Sequence, residues 1–149
     1  MKINLRIDDN IEEDVVDFKI RKLDDKIKKA IDYLESEEQK GLIGYKLDEI
    51  VLIKPDEIVL IYTEGKKIYT RIANGEVYML KERLYELEEN LQQSGFIRIA
   101  NSSIANGKMI RKLKMEHDGS LCVVFKDGSS EFASRRSVKN IKEYLGIGG

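Results

Sequence analysis

Cysteine and histidine are nearly absent. With one cysteine, Cys122, and one histidine, His117, the chain has no internal disulfide framework and no zinc cluster built on cysteines. No apolar run approaches the roughly 20 residues that a membrane helix requires, and the Met-Lys-Ile-Asn-Leu start lacks the apolar core of a signal peptide. A cytoplasmic location is expected. The phosphate loop Gly-x-x-x-x-Gly-Lys-Ser/Thr, the fingerprint Gly-x-Gly-x-x-Gly and the zinc motif His-Glu-x-x-His are all missing. His117 precedes Asp118-Gly119 with no second histidine or cysteine beside it, so it reads as a surface turn residue. Cys122 lies in the apolar run Leu-Cys-Val-Val-Phe and reads as a small buried hydrophobe. The many carboxylates are scattered over helix faces. Together these absences argue against an enzyme, and no cofactor or metal is expected.

What is present describes an ordinary soluble chain. Its 149 residues suit one domain, or one domain with an extension, and 42% hydrophobic with 36% charged residues excludes a disordered or collagen-like class. The net charge of −1 conceals a division. From Gly95 onward there are ten Lys/Arg against five Asp/Glu, whereas the first 94 residues hold 16 against 22. The C-terminal part is therefore basic, which leaves room for a polyanion-binding face.

Read in order, residues 2–7 alternate polar and apolar as a half-buried strand does, and 15–20 suggest a second strand. Ile20, Leu23, Ile27, Ala30, Ile31 and Leu34 then recur at helical spacing, with Asp24 or Asp25 as the cap and Gly41 as the stop. Residues 1–41 thus read as a small ββα extension. Its apolar stripe must bury against its own strands, the following domain or a second copy of the chain.

From residue 42 the pattern is strand-rich. Strands are expected at Ile50–Ile53 and Ile58–Thr63 around a Pro55-Asp56 turn, and a tight loop at Glu64-Gly65-Lys66-Lys67. Asn74-Gly75 is a strong hairpin signal between Ile68–Ile72 and Glu76–Leu80. Leu80, Leu84, Leu87 and Leu91 line one helical face that stops at Gly95. Further strands, Ile110–Met115 and Leu121–Phe125, flank His117-Asp118-Gly119, and another hairpin turns at Lys126-Asp127-Gly128. A last helix with Val138, Ile141 and Leu145 is capped by Ser134 or Ser137 and ends at Gly146. The fold class is mainly β with short helices, an α+β arrangement.

The stretch Phe96–Asn106 stands apart because it changes chemistry halfway. Phe96 to Ile99 suits a strand, whereas Asn101, Ser102, Ser103 and Asn106, closed by Gly107, favour a polar turn. Cations follow at Lys108, Arg111, Lys112 and Lys114, and again at Arg135, Arg136 and Lys139.

The phrase Arg-Ile-Ala-Asn-Ser-Ser-Ile-Ala-Asn, together with Asp56–Gly65, the helix at Leu84–Glu88 and Ser134–Lys139, resembles the LytTR family of DNA-binding domains over roughly residues 45–147. The resemblance implies an elongated, mostly antiparallel β fold over residues 42–149 that reads double-stranded DNA through loops. It further implies transcription regulation, by a homodimer on repeated sites. By position, Lys66, Asn101 and Arg136 would touch bases. Lys67, Arg98, Ser102, Asn106, Lys108, Arg135 and Lys139 would contact the DNA backbone. Ala100 stands where family members often carry a larger side chain. Residues 1–41 are too short for the receiver domain of many family members, so the chain resembles the stand-alone subgroup, often partnered with a small membrane protein. Two other classes compete with this reading: a protein-interaction module with an incidental basic face, and an RNA-binding protein, which lacks the expected aromatic stacking platform.

Overall fold

A computed structural model describes residues 1–35 and 41–146. The chain divides into two units, Met1–Ser36 and Glu37–Gly149. No helix among the described residues is long and apolar enough to cross a membrane.

In the first unit the helix forms and the strands do not. Helix α1 spans Asp25–Glu35. Asp24 caps it, its Oδ1 accepting the Ile27 N–H at 2.9 Å, which satisfies one of the helix's orphan donors. Ile20 and Leu23 precede the helix, and residues 36–40, where its expected end falls, lie outside the described residues. The expected strands at 2–7 and 15–20 are absent: neither segment joins a ladder. A strand needs a neighbour for its backbone groups, and a lone two-stranded hairpin is marginal in water. Ile3, Leu5 and Ile7 accordingly stand 85–87% exposed.

The second unit is antiparallel throughout. Strands β1 (Leu42–Lys46), β2 (Glu49–Ile53), β3 (Ile58–Glu64), β4 (Lys67–Ile72), β5 (Val77–Leu80), β6 (Phe96–Ala100) and β7 (Ser103–Asn106) form one sheet in the order β2-β1-β5-β4-β3-β7-β6. Strands β8 (Ile110–Met115), β9 (Leu121–Phe125) and β10 (Ser130–Ala133) form a second, with β9 central. Helix α2 spans Leu84–Leu91 and α3 spans Val138–Tyr144. The hairpin turns at Gly75, Gly119 and Gly128 all adopt the positive φ that glycine accepts without strain.

The large sheet is covered on both faces at its centre. One core joins Ile58, Ile61, Phe96 and Ile104 to Leu84, Leu87 and Leu91 of α2. The other joins Val59, Leu60, Ile97, Ile99 and Ala105 to Leu121, Val123 and Phe125 of the small sheet and Ile141 of α3. Burial on both faces explains why β3 reads as the unbroken apolar run Ile58-Val59-Leu60-Ile61 and not as an alternation. Leu80 belongs to β5, not to the helix, yet it packs in the same core as the α2 leucines.

The polar stretch is corrected in one respect. Only Asn101 and Ser102 form the turn, while Ser103–Asn106 continue as β7 with all four residues buried. The reason is tertiary, since β7 lies between β3 and β6 and both neighbours satisfy its backbone. Asn106 is 1% exposed. Its Nδ2 donates to the Ile58 carbonyl at 2.8 Å and its Oδ1 accepts the Lys108 N–H at 3.1 Å. Neither Ser134 nor Ser137 caps a helix by its side chain; their hydroxyls bond each other at 2.8 Å.

Arg71 of β4 fastens the small sheet to the large one. Its Nε donates to Asp127 Oδ2 at 3.2 Å and its terminal nitrogen to Ser129 Oγ at 2.5 Å, both in the β9–β10 turn. Burial alone would raise the Asp127 pKa. Hydrogen bonds from the Ser129 hydroxyl and N–H, with the Arg71 charge, outweigh it and hold the carboxyl below its ordinary 3.8.

Two outcomes follow. Asn106→Ala should lower unfolding stability by about 1–3 kcal/mol because it orphans buried groups, whereas the exposed Asn101→Ala should stay within about 0.5 kcal/mol of wild type. Equal denaturation midpoints for the two variants would refute the internal role of Asn106. Because the folded pKa of Asp127 is depressed, its contribution is present above the unfolded value and lost as pH falls through the folded one. The stability difference between wild type and Asp127→Asn should therefore shrink below about pH 4. A difference that grows on acidification would contradict the assignment.

Candidate nucleic-acid interface

Three connections carry the residues singled out from the sequence. The first is the two-residue β3–β4 turn, where Gly65 adopts φ 63° and Lys66 is exposed. Glu64 pairs with Lys67 across its base, so Lys67 is the first residue of β4 and not part of the loop. The second is the β6–β7 turn, Asn101-Ser102, with both side chains exposed. The third is the single 3-10 turn Arg135–Ser137 that leads into α3, from which Arg135, Arg136 and Lys139 project into solvent.

Backbone hydrogen bonds tie these connections together. The Thr63 N–H donates to the Ser102 carbonyl at 2.9 Å, linking the end of β3 to the β6–β7 turn. The Ser134 N–H donates to the Ile99 carbonyl at 2.8 Å, linking the third connection to β6. The result is one rim of short turns whose positions are set by the sheet, with exposed cations on either side of an exposed asparagine. Among the described residues the ion pairs are Arg71–Asp127 and Arg98–Glu88, so Lys66, Lys67, Arg136 and Lys139 form none, and Arg135 acts on Asp118 only at longer range.

Arg98 is part of this rim's support. Its Nε donates to the Ala100 carbonyl at 2.9 Å, one terminal nitrogen to Glu88 Oε2 at 2.6 Å, and the other to the Asn101 carbonyl at 2.6 Å. Each guanidinium nitrogen is therefore engaged within the domain. Arg98 clamps the turn that displays Asn101 against α2 and keeps two of its five N–H donors uncommitted. Thr63 and Ser134 were not foreseen as part of the site, because their ties run mainly through the backbone N–H, with the Thr63 hydroxyl adding a longer bond to the same Ser102 carbonyl at 3.5 Å.

Two expected backbone contacts fall outside the rim. Asn106 is buried and spends its amide inside the sheet. Lys108 is exposed but follows the opposite end of β7, beside Gly95, so a four-residue strand of roughly 13 Å separates it from the Asn101 turn. His117 is exposed in its turn and Cys122 is 7% exposed in β9, as their sequence contexts indicated.

Comparison with known proteins converges on one family. Residues 48–146 match the model of the LytTr DNA-binding domain, close to the span expected from the motifs. A protein of Staphylococcus aureus strain NCTC 8325 / PS 47, described as an uncharacterized HTH-type transcriptional regulator, is 36% identical over 148 residues, covering 99% of each chain. The corresponding protein of strain MW2 is 35% identical over the same coverage. Among the described residues, however, strands separate each α-helix from the next, so no helix-turn-helix is formed here. A solved LytTr DNA-binding domain from Bacillus cereus superimposes with a TM-score of 0.67 at 19% identity, covering 72% of this chain and 97% of that one. The chain belongs to the LytTR family of DNA-binding domains.

Proposed function

We propose that the protein is a sequence-specific, DNA-binding transcription regulator that reads the major groove through loops, as a homodimer on repeated sites. The observation that carries this reading is the rim itself: three exposed turns joined through Thr63–Ser102 and Ser134–Ile99 hydrogen bonds, on a domain of this family. The residue chemistry suits the task. Asn101 presents a donor and an acceptor that match the major-groove edge of adenine, and Arg136 presents a fork that matches guanine O6 and N7. Lys66 at the tip of the β3–β4 turn is the third base contact. Lys67, Ser102, Arg135 and Lys139 are assigned to phosphates, where they fix register without reading sequence. The reading includes a cytoplasmic location and modulation by a small membrane protein, as the family resemblance implies.

Loops suit this work only if they are held in shape before DNA arrives, and the Arg98 clamp supplies that rigidity here. Arg136→Ala should weaken binding by about 1–3 kcal/mol and relax preference at one base position. Lys67→Ala should instead weaken every sequence alike and lower the slope of log affinity against log salt by about 1. Affinities measured by fluorescence anisotropy at several salt concentrations separate the two, and an Arg136→Ala variant that binds like wild type throughout would sink the assignment.

A further inference from the structure

The first unit carries an incomplete core. Of its described residues only Ile27 is buried, while Ile3, Leu5 and Ile7 are at least 85% exposed, and Val16, Phe18 and Ile20 stand at 62%, 39% and 44%. A unit of this size seldom closes a core alone, and oligomerisation or a cross-link usually completes it. Its one possible cross-linking residue type is missing, since the sole cysteine is Cys122. The segment is also not peculiar to this chain. The Staphylococcus relatives match over 99% of both lengths, although the family match begins only at residue 48.

The two apolar segments complement each other. Residues 3–7 place apolar side chains at Ile3, Leu5 and Ile7, and residues 16–20 place them at Val16, Phe18 and Ile20. Antiparallel pairing with Leu5 opposite Phe18 is the register that matches all three, setting Ile3 against Ile20 and Ile7 against Val16. The same register sets Arg6 directly opposite Asp17, a favourable cross-strand ion pair. The connecting residues 8–15 contain five carboxylates, Asp8, Asp9, Glu12, Glu13 and Asp14, and no lysine or arginine. In the single chain this connection turns, the Asn10 N–H donating to Asp8 Oδ1 at 3.0 Å, yet neither segment joins a ladder with the other.

We infer that a second copy of the chain completes this unit by strand exchange: residues 3–7 of each protomer pair with residues 16–20 of the other, with Arg6 facing Asp17 across both contacts. The inference rests on the homodimeric regulator proposed above and names the surface that makes the dimer.

Charge reversal in the full chain tests it. Arg6→Glu alone and Asp17→Lys alone place like charges at both contacts, so each should weaken self-association about tenfold or more in sedimentation equilibrium. Mixing the two variants restores opposite charges at both contacts, and mixed dimers of wild-type affinity should form. If the segments instead pair within one chain, mixing restores nothing, and that result overturns the inference. So does a single variant that self-associates like wild type. Leu5→Asp, which sets a charge in the apolar row, should give monomers, and a Leu5→Asp dimer would likewise contradict it. Binding of each variant to a single DNA site is measured in parallel. Salt-sensitive binding that survives in monomers keeps the DNA reading separate, and its loss in wild type as well would refute that reading and leave the dimer result standing.

Discussion

The rim of turns depends on one strand being buried from both sides. β7 lies between β3 and β6 in the large sheet, with Ile104 facing the α2 core and Ala105 facing the small sheet and α3. Such a strand has no solvent face on which to place polar groups, so an amide there needs partners within the fold, although the buried Ser103 hydroxyl has none. Asn106 shows how. The β3–β4 ladder shifts register between Ile58 and Leu60, and the Asn106 amide takes the Ile58 carbonyl there while accepting the Lys108 N–H. An asparagine is therefore useful at the end of β7 for the same reason that it is useful at a turn: its short amide both donates and accepts locally. Tyr144 closes the same end, packed where a side chain on Gly107 would have to stand.

Once β7 is fixed, the geometry of the rim follows. The β6–β7 turn is limited to Asn101 and Ser102 because the flanking residues are committed to ladders. A turn this short has few conformations left, and Arg98 removes more by holding two consecutive carbonyls while leaning on Glu88 of α2. The neighbouring connections are fastened to the same strands by Thr63 and Ser134. Exposed polar side chains are thus mounted on a rigid support, which is how loops acquire positional accuracy without a recognition helix.

Much of this was legible in the sequence where local chemistry decides. Asn74-Gly75, Asp118-Gly119 and Asp127-Gly128 turn where expected because glycine's freedom at positive φ is a local property. The leucines of α2 revealed their face because helical spacing is also local. What escaped was set by distant partners. Ser103 to Asn106 look like turn residues and become a strand because β3 claims them, and the Asn106 amide is consumed by a residue 48 positions away. Arg98 looks like a free cation, and only the folded chain brings Glu88 to it. Residues 2–7 and 15–20 have the pattern of strands without a neighbour in the single chain to make them so. Lys66, Asn101 and Arg136 are exposed on the tied turns, whereas Lys108 is exposed beyond the opposite end of β7, a placement that charge in the sequence does not reveal.

The central claim is that one rim of three tied turns meets DNA. Backbone amide shifts followed by NMR during titration with a bound duplex test it directly. The account predicts joint perturbation at residues 64–67, 101–102 and 135–139, with Lys108 and the buried Asn106 amide left where they were. Shifts centred on Lys108 and β8, or on α2, with the three turns unmoved, would contradict it.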